Sequence, residues 1–475
     1  MSASRYSLAR AGMMWTILEG SIGQIISFAI NMFMVTLLSP QNFGIIATVT
    51  VLIALGTVLS NSGFGSALIR KKDRDNIDYC VVFYFSLTVA IIYYISLIMF
   101  SDIVADSLGE PEITKIVKVL GVILIINAFT IISRVKLNLE MRFKTLAKCN
   151  VLAIALSAVV AIIFAKNDFG YWALVAQQVT MALCSSVLVF ISSPWIPIFK
   201  FDISKFKKLF PYSSRMIATG IIDCLYNNIL TFAIAKTYST SDLGLYNQAN
   251  KLTNMPIVSI TTAIQNVSFP LLVKEDEDQI SALYLKMIRF TALLCFPIMF
   301  GLSIVSEPLV SILFDEQWQL LSTYIAILSI GMVVHPVQAY AFNILSVFGR
   351  SDYILKLELF KKIAMSLLLI VFYQFGVVAV CYIMLFASYL MYFINLFFVR
   401  KVTSIPIYHQ LFPVMAIWVC NALISTVVYV FYSDVTNDYI RITFSLLVAI
   451  SLYLVVIRLF FHSYLSRTKN IPNYS

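Results

Sequence analysis

The feature that most constrains this chain is the recurrence of apolar segments long enough to cross a lipid bilayer. They fall near 11–37, 43–67, 79–100, 115–133, 149–165, 169–193, 212–235, 243–270, 288–306, 320–347, 357–374, 376–399, 411–432 and 441–461. A helix rises about 1.5 Å per residue, so roughly 20 residues cover the ~30 Å of hydrocarbon. Lipid offers no partners to backbone N–H and C=O groups, so such segments must satisfy their own backbone as helices. Composition agrees: 60% of the 475 residues are hydrophobic and only 12% are charged, against about 25% charged in a soluble domain. The expected fold class is therefore all-α, a polytopic membrane protein of about fourteen transmembrane helices. The first segment follows Met1 to Arg10 and contains Glu19. No small-residue cleavage site follows a short apolar core, so it reads as a retained span rather than a signal peptide.

Connection charges set the orientation. Starting from an N-terminus inside, one side of the membrane receives Arg70 to Arg74, Arg134 to Lys148, Lys200 to Lys208, Lys274 to Arg289, Arg350 to Lys362 and Arg400-Lys401. With both tails, that side carries 27 of the 34 Lys and Arg. The other side carries Lys115, Lys118, Lys166, Lys236 and Arg441, and it gathers acids such as Asp102, Asp106, Glu110, Glu307, Asp315 and Asp438. A missing or extra span would scramble the alternation from that point onward. The positive-inside rule therefore supports the span count and places both termini in the cytoplasm. It also accounts for the net charge of +10 without a nucleic-acid partner.

No connection exceeds about 20 residues, which leaves no room for an extramembrane domain. The soluble-enzyme signatures GxxxxGK[ST], HExxH, GxSxG and GxGxxG are missing, and no cofactor or metal is expected. The seven cysteines form no CxxC pair and read as small packing residues. Of the histidines only His335 lies within a span, where a satisfied core position outweighs a proton relay. Prolines at Pro256, Pro297 and Pro336 imply local breaks or kinks. An internal repeat recurs at an offset of 200: Leu38-Ser39-Pro40-Gln41-Asn42-Phe43-Gly44 matches Ser239-Thr240-Ser241-Asp242-Leu243-Gly244. Six intervening spans make the copies parallel. The expected organisation is a lobe over 1–200, a second over 201–400, and two additional spans with a cytoplasmic tail over 401–475.

Charges inside spans single out functional candidates, because each costs at least ~2.5–3.5 kcal/mol at the bilayer centre. Glu19 lies in the first span, Arg215 and Asp223 in the seventh, Lys251 in the eighth. Arg215 and Lys251 have stems long enough to snorkel toward an interface; the short carboxylates do not. Asn227 and Asn228 accompany Asp223. Asn247, Asn250, Lys251 and Asn254 follow i, i+3, i+4, i+7 spacing, which gives the eighth span one wet face, and Gln265 and Asn266 extend it. Such a face is either bundle glue or the wall of a cavity, and its length favours the cavity. Amides suit sugar hydroxyls, and Arg or Lys suits phosphate.

Several segments in order resemble bacterial polysaccharide and lipopolysaccharide exporters, the Wzx-type flippases, most of all their colanic-acid-exporter-like branch. They are Trp15, Leu38 to Gly44, Ser60-Asn61-Ser62-Gly63-Phe64-Gly65-Ser66-Ala67-Leu68-Ile69-Arg70-Lys71-Lys72, Glu140-Met141-Arg142-Phe143-Lys144, Gly170-Tyr171-Trp172-Ala173-Leu174-Val175, Leu243-Gly244-Leu245-Tyr246, Phe269-Pro270, Gln317-Trp318 and Phe348-Gly349-Arg350. The resemblance runs to about residue 350. It implies a fold like that of multidrug and toxic-compound extruders: two six-helix lobes around a central cavity, with two extra C-terminal spans. It also implies an undecaprenyl-pyrophosphate-linked oligosaccharide as substrate, moved across the bacterial inner membrane for O-antigen, capsule or exopolysaccharide synthesis, in company with other polysaccharide-assembly proteins. Arg215, Lys251, Asn227, Asn247, Asn250 and Asn254 are then the expected substrate contacts. Glu19 and Asp223 are the expected sites of coupling to H⁺ or Na⁺. An ion-coupled drug or small-solute antiporter of the same fold, a membrane enzyme of polysaccharide assembly, and the related flippase of peptidoglycan precursor are the competing readings.

Overall fold

The computed structural model describes residues 23–467, except 62, 72, 273–276, 404, 433, 434 and 436. Within the described residues, every predicted span falls mainly on helix. The described part of the first is α1 (Gly23–Val35). The second span is α2 (Pro40–Asn61) with α3 (Phe64–Arg70), the third α4 (Asn76–Leu108), and the fourth α5 (Glu112–Leu120) with α6 (Val122–Leu139). Then come α7 (Phe143–Lys166), α8 (Trp172–Ser192), α9 (Ile203–Thr237), α10 (Thr240–Leu272) and α11 (Glu277–Leu313). The tenth span is α12 (Gln319–Met332) with α13 (His335–Val347). The last four are α14 (Ser351–Phe372), α15 (Val377–Thr403), α16 (Ile407–Tyr432) and α17 (Asp438–Arg467). Among the described residues, eleven segments are long and apolar enough to cross a membrane, α10 and α14 not among them, and no strand occurs. The protein is a multi-pass, all-helical membrane protein.

The spans expected at 43–67, 115–133 and 320–347 are each broken in two, the last beside Pro336, where a break or kink was expected. Gly63 lies against the backbone of Ser213, where a Cβ would stand 2.3 Å from the carbonyl oxygen. Gly121 lies under the ring of Tyr94. Pro336 falls in the first turn of α13, where its missing N–H costs nothing. Of the three prolines expected to break or kink a span, only Pro336 lies at a break; α10 and α11 stay helical through Pro256 and Pro297.

The chain forms two compact units, one up to Gly244 and one from Leu245. In the first, α2 packs on α4, α5, α6 and α9, while α6 and α7 pack on α8. Tyr93 and Tyr94 cover Gly56 and Gly121, and their hydroxyls donate to the carbonyls of Leu52 at 3.0 Å and Lys118 at 2.7 Å. Glycine lets the aromatic ring approach, and at Tyr93 the donated bond offsets the cost of a part-buried hydroxyl. A buried polar layer joins α6, α7 and α8: Arg134 Nη2 donates to Ser185 Oγ (2.6 Å), Ser185 to Asn150 Oδ1 (3.2 Å), and Thr130 meets Ser186 (3.2 Å). At the basic end, Phe64, Leu68, Phe83, Ile132 and Trp195 form a core.

In the second unit α11 is the hub, packing on α12, α13, α16 and α17. The two C-terminal spans thus join this unit through α11. Its core holds Tyr284, Phe296, Met299, Ile344 and Leu396. Tyr284 donates to Gln410 (3.2 Å), Asn343 to Ser268 (2.6 Å), and Thr291 meets Tyr340 (2.9 Å). His335 bonds Ser388 at 3.2 Å, a core placement. Among the basic residues of the acidic side, Arg441 lies between Glu307 and Asp438, each at 3.2 Å.

Candidate functional site

The candidate residues occupy α9 in the first unit and α10 in the second, except Glu19, which lies outside the described residues. Helix α9 starts on Asp202, whose carboxylate accepts from the backbone N–H of Ser204 and Lys205, relieving two of its orphan donors. Between Ser213 and Thr231 it has no buried residue. Arg215, Thr219, Asp223 and Asn227 fall in one i, i+4 row along that open stretch. Arg215 and Asn227 are exposed and Asp223 is half-buried. The rise per residue separates Arg215 from Asp223 by roughly 12 Å along the axis, so the row alternates cation, hydroxyl, carboxylate and amide without collapsing into an ion pair. The sequence places Arg215 only about a turn inside its span. The structure starts α9 at Ile203, three turns earlier.

On α10 the expected wet face coincides with the less buried one. Leu245, Tyr246, Gln248, Ala249, Leu252, Thr253 and Ile257 are buried, whereas Asn247, Asn250 and Asn254 are half-buried and Lys251 is exposed. Asn254 Nδ2 donates to Asn250 Oδ1 at 2.7 Å, which fixes both amides on that face. The Nδ2 of Asn247 is buried and has no acceptor among the described residues, a donor left available to something else. The side chains of Gln265 and Asn266 fall outside what is described. No cluster of three metal-ligating side chains occurs among the described residues.

One constellation was not readable as a site. The repeated helix-opening segments meet each other inside the first unit. A Cβ on Gly44 would stand 1.7 Å from the carbonyl oxygen of Thr240, and one on Gly244 would stand 1.9 Å from that of Pro40. Glu110, at the end of the α4 to α5 turn, bridges the two: its Oε1 accepts from Gln41 Nε2 at 3.2 Å and from Thr240 Oγ1 at 2.5 Å. The repeat itself was the available signal; that its copies touch, and that an acid from a third segment joins them, is not written in either copy.

The motifs carrying the family resemblance sit mostly at turns and helix starts. Met141 adopts φ 54°, Gly170 φ 54° and Gly349 φ 67°, so the turn at Gly349, like that at Gly170, needs a residue free of a Cβ penalty. Comparison with known proteins agrees with that pattern. The model of a family described as polysaccharide biosynthesis protein matches residues 33–323. The succinoglycan biosynthesis transport protein ExoT of Rhizobium meliloti is 25% identical over 64% of this chain, and the match spans 62% of ExoT, less than two thirds of its length. The lipopolysaccharide biosynthesis protein WzxC of Escherichia coli is 20% identical over 72% of this chain and 71% of its own. The fold is that of a lipid II flippase, MurJ, in an inward closed conformation: TM-score 0.77 at 14% identity, over 95% of this chain and 100% of that one. With more than half of its length matched, this chain belongs to the polysaccharide biosynthesis protein family.

Proposed function

We propose that the protein is a flippase that carries an undecaprenyl-pyrophosphate-linked oligosaccharide from the cytoplasmic to the periplasmic leaflet of the bacterial inner membrane. The observation that carries this reading is the row of polar and charged side chains on the less buried stretch of α9 and the like face of α10. Arg215, Asp223 and Asn227 stand on the open stretch of α9, and Asn247, Asn250, Lys251 and Asn254 on the open face of α10. Charged and amide side chains inside a span are expensive against lipid, and in this reading the faces line water and bind a polar cargo. In this reading the asparagine amides hydrogen-bond sugar hydroxyls, Arg215 and Lys251 are each a candidate phosphate contact on its own helix, and the polyprenyl chain stays in lipid. Alternating exposure of the faces completes the transfer. Membership of a polysaccharide biosynthesis family, and a fold shared with a lipid II flippase, support the same substrate class. Asp223 and Glu19 are the carboxylates through which H⁺ or Na⁺ drives the cycle. Both termini lie in the cytoplasm, as the basic connections require, and the product goes on to other polysaccharide-assembly proteins.

The test is the leaflet location of lipid-linked oligosaccharide in cells lacking the protein. Accumulation on the cytoplasmic side, relieved by restoring the gene, is expected. Normal export of the glycan in a strain with no second flippase would instead favour the drug-antiporter reading.

A further inference from the structure

The connection between α8 and α9, residues 193–202, is extended rather than helical, yet it is firmly held. Trp195 is only 8% exposed. Its Nε1 donates to Asn76 Oδ1 at 2.8 Å, and its ring lies 5.6 Å from Phe83 and 6.4 Å from Tyr79. Three residues on, the carbonyl of Ile198 accepts from the hydroxyl of Tyr84 at 3.3 Å. Between and beyond these anchors, large apolar side chains point outward: Ile196 is 77% exposed, Phe199 99%, and Phe201 and Ile203 more than half. Lys200, Lys207 and Lys208 are exposed beside them. Lys205, in contrast, is engaged with Asp75.

An exposed phenylalanine on a mobile loop can fold away from water; one held between Ile198 and the capped start of α9, where Lys205 engages Asp75, cannot. The segment joins two spans at the basic end of the first unit, the level at which hydrocarbon meets headgroups. Aromatic and aliphatic side chains interleaved with lysines match that boundary: rings enter the acyl region while ammonium groups reach phosphate. We infer that the 195–208 segment is a binding surface for the headgroups of anionic phospholipid in the inner leaflet, with Phe199 as its membrane anchor and Lys200, Lys207 and Lys208 as its phosphate contacts. The inference rests on the proposed orientation, but not on the identity of the transported glycan.

Two measurements test it. The full chain is released from nanodiscs containing equal phosphatidylglycerol and phosphatidylethanolamine, and retained lipids are counted by native mass spectrometry. Phosphatidylglycerol should be preferred, and the variant Lys200→Gln/Lys207→Gln/Lys208→Gln should lose that preference by roughly fivefold for each lysine engaged. Lys115→Gln/Lys118→Gln/Lys166→Gln, on the opposite side, should keep it. An unchanged preference in the first variant, or an equal loss in the second, overturns the proposal. Separately, Phe199 is replaced by p-benzoylphenylalanine with every lysine intact, and the protein is irradiated in membranes. A phospholipid-sized adduct is expected. An adduct the size of a second protein, or none, overturns the proposal whatever the lipid counts, and this arm does not depend on the folding of the triple variant. Normal glycan export in cells lacking the protein, with the lipid preference of the purified protein intact, would overturn the flippase reading alone; a lost preference with defective export would overturn this one alone.

Discussion

A single methyl group decides the packing at Gly44 and Gly244. In an exposed helix interior, replacing glycine by alanine gains roughly 0.5–1 kcal/mol of backbone entropy. At these two positions the new Cβ would stand within 2 Å of a carbonyl oxygen, and overpacking of that kind costs about 1–3 kcal/mol. The clash wins. Gly44→Ala and Gly244→Ala should each lower the unfolding midpoint in detergent, while Gly301→Ala in α11, with nothing within 4 Å of the added carbon, should hold or raise it. Equal effects at all three would mean that the helix starts do not meet. For the candidate site, Arg215→Ala/Lys251→Ala should abolish glycan export while the protein stays in the membrane; retained export would remove the anion-binding role. Asp223→Asn should change how transport into vesicles responds to a proton or sodium gradient, and an unaltered response would leave Asp223 structural. The asparagines and charges of α9 and α10 were legible because a polar residue in a run of Ile, Leu and Phe stands out by cost alone. Glu110 was not, since one acid among several in a solvated turn carries no such mark; only folding brings it to Gln41 and Thr240.

At the scale of elements, the start of α9 is tied to the start of α4. Asp75 caps α4 in a reciprocal capping box with Asp78, and its carboxylate also accepts from Lys205 in the first turn of α9. Asp78, fully buried, holds Lys71 at 2.6 Å. The hydrogen bond from Lys205, then the backbone N–H of Asp78, lower the Asp75 carboxyl from its ordinary 3.8 to about 2. A folded-state value below the unfolded one stabilises the fold above the unfolded value, and that contribution is lost as the pH falls. The stability difference between the protein and Asp75→Asn should therefore be flat above about pH 5 and shrink from pH 3.8 toward about 2. Unfolding midpoints across that range check it; a gap that persists undiminished to the acid end would show that the ionised carboxylate contributes nothing. Asp75→Ala should lose about 1 kcal/mol more through the missing cap. Helix positions were legible from hydropathy alone, since each needs only enough apolar length. The close approaches at Gly63 and Gly121 were not, because they depend on which residue faces the glycine, Ser213 in one case and Tyr94 in the other.

For the whole molecule the decisive question is the number of crossings, because one more or one fewer reverses every element beyond it. The meeting of Gly44 with Thr240 and of Gly244 with Pro40 bears on this directly. Both α2 and α10 begin there, so both begin on one side of the membrane, and an even number of crossings separates them. The spans formed by α2 with α3, α4, α5 with α6, α7, α8 and α9 number six, as the parallel repeat requires. Beyond that point the sidedness of every element depends on α10 crossing in spite of its polar face. If it does, Lys274, Lys286 and Arg289 lie with the other basic connections; if it does not, they lie with the acidic ones, against the charge rule. Alkaline phosphatase, active only in the periplasm, joined after Glu110 and after Asp315 should be active. Joined after Arg142, Ser281 and Ser475 it should be silent, and a fluorescent protein at the same points should give the reverse. Phosphatase activity after Ser281 would show that α10 does not cross. The wet face of Asn247, Asn250, Lys251 and Asn254 would then lie at the membrane surface, where no cargo needs it. Silence after Ser281 puts that face in mid-membrane, where amides and an ammonium group have a reason to stand only if something polar passes them.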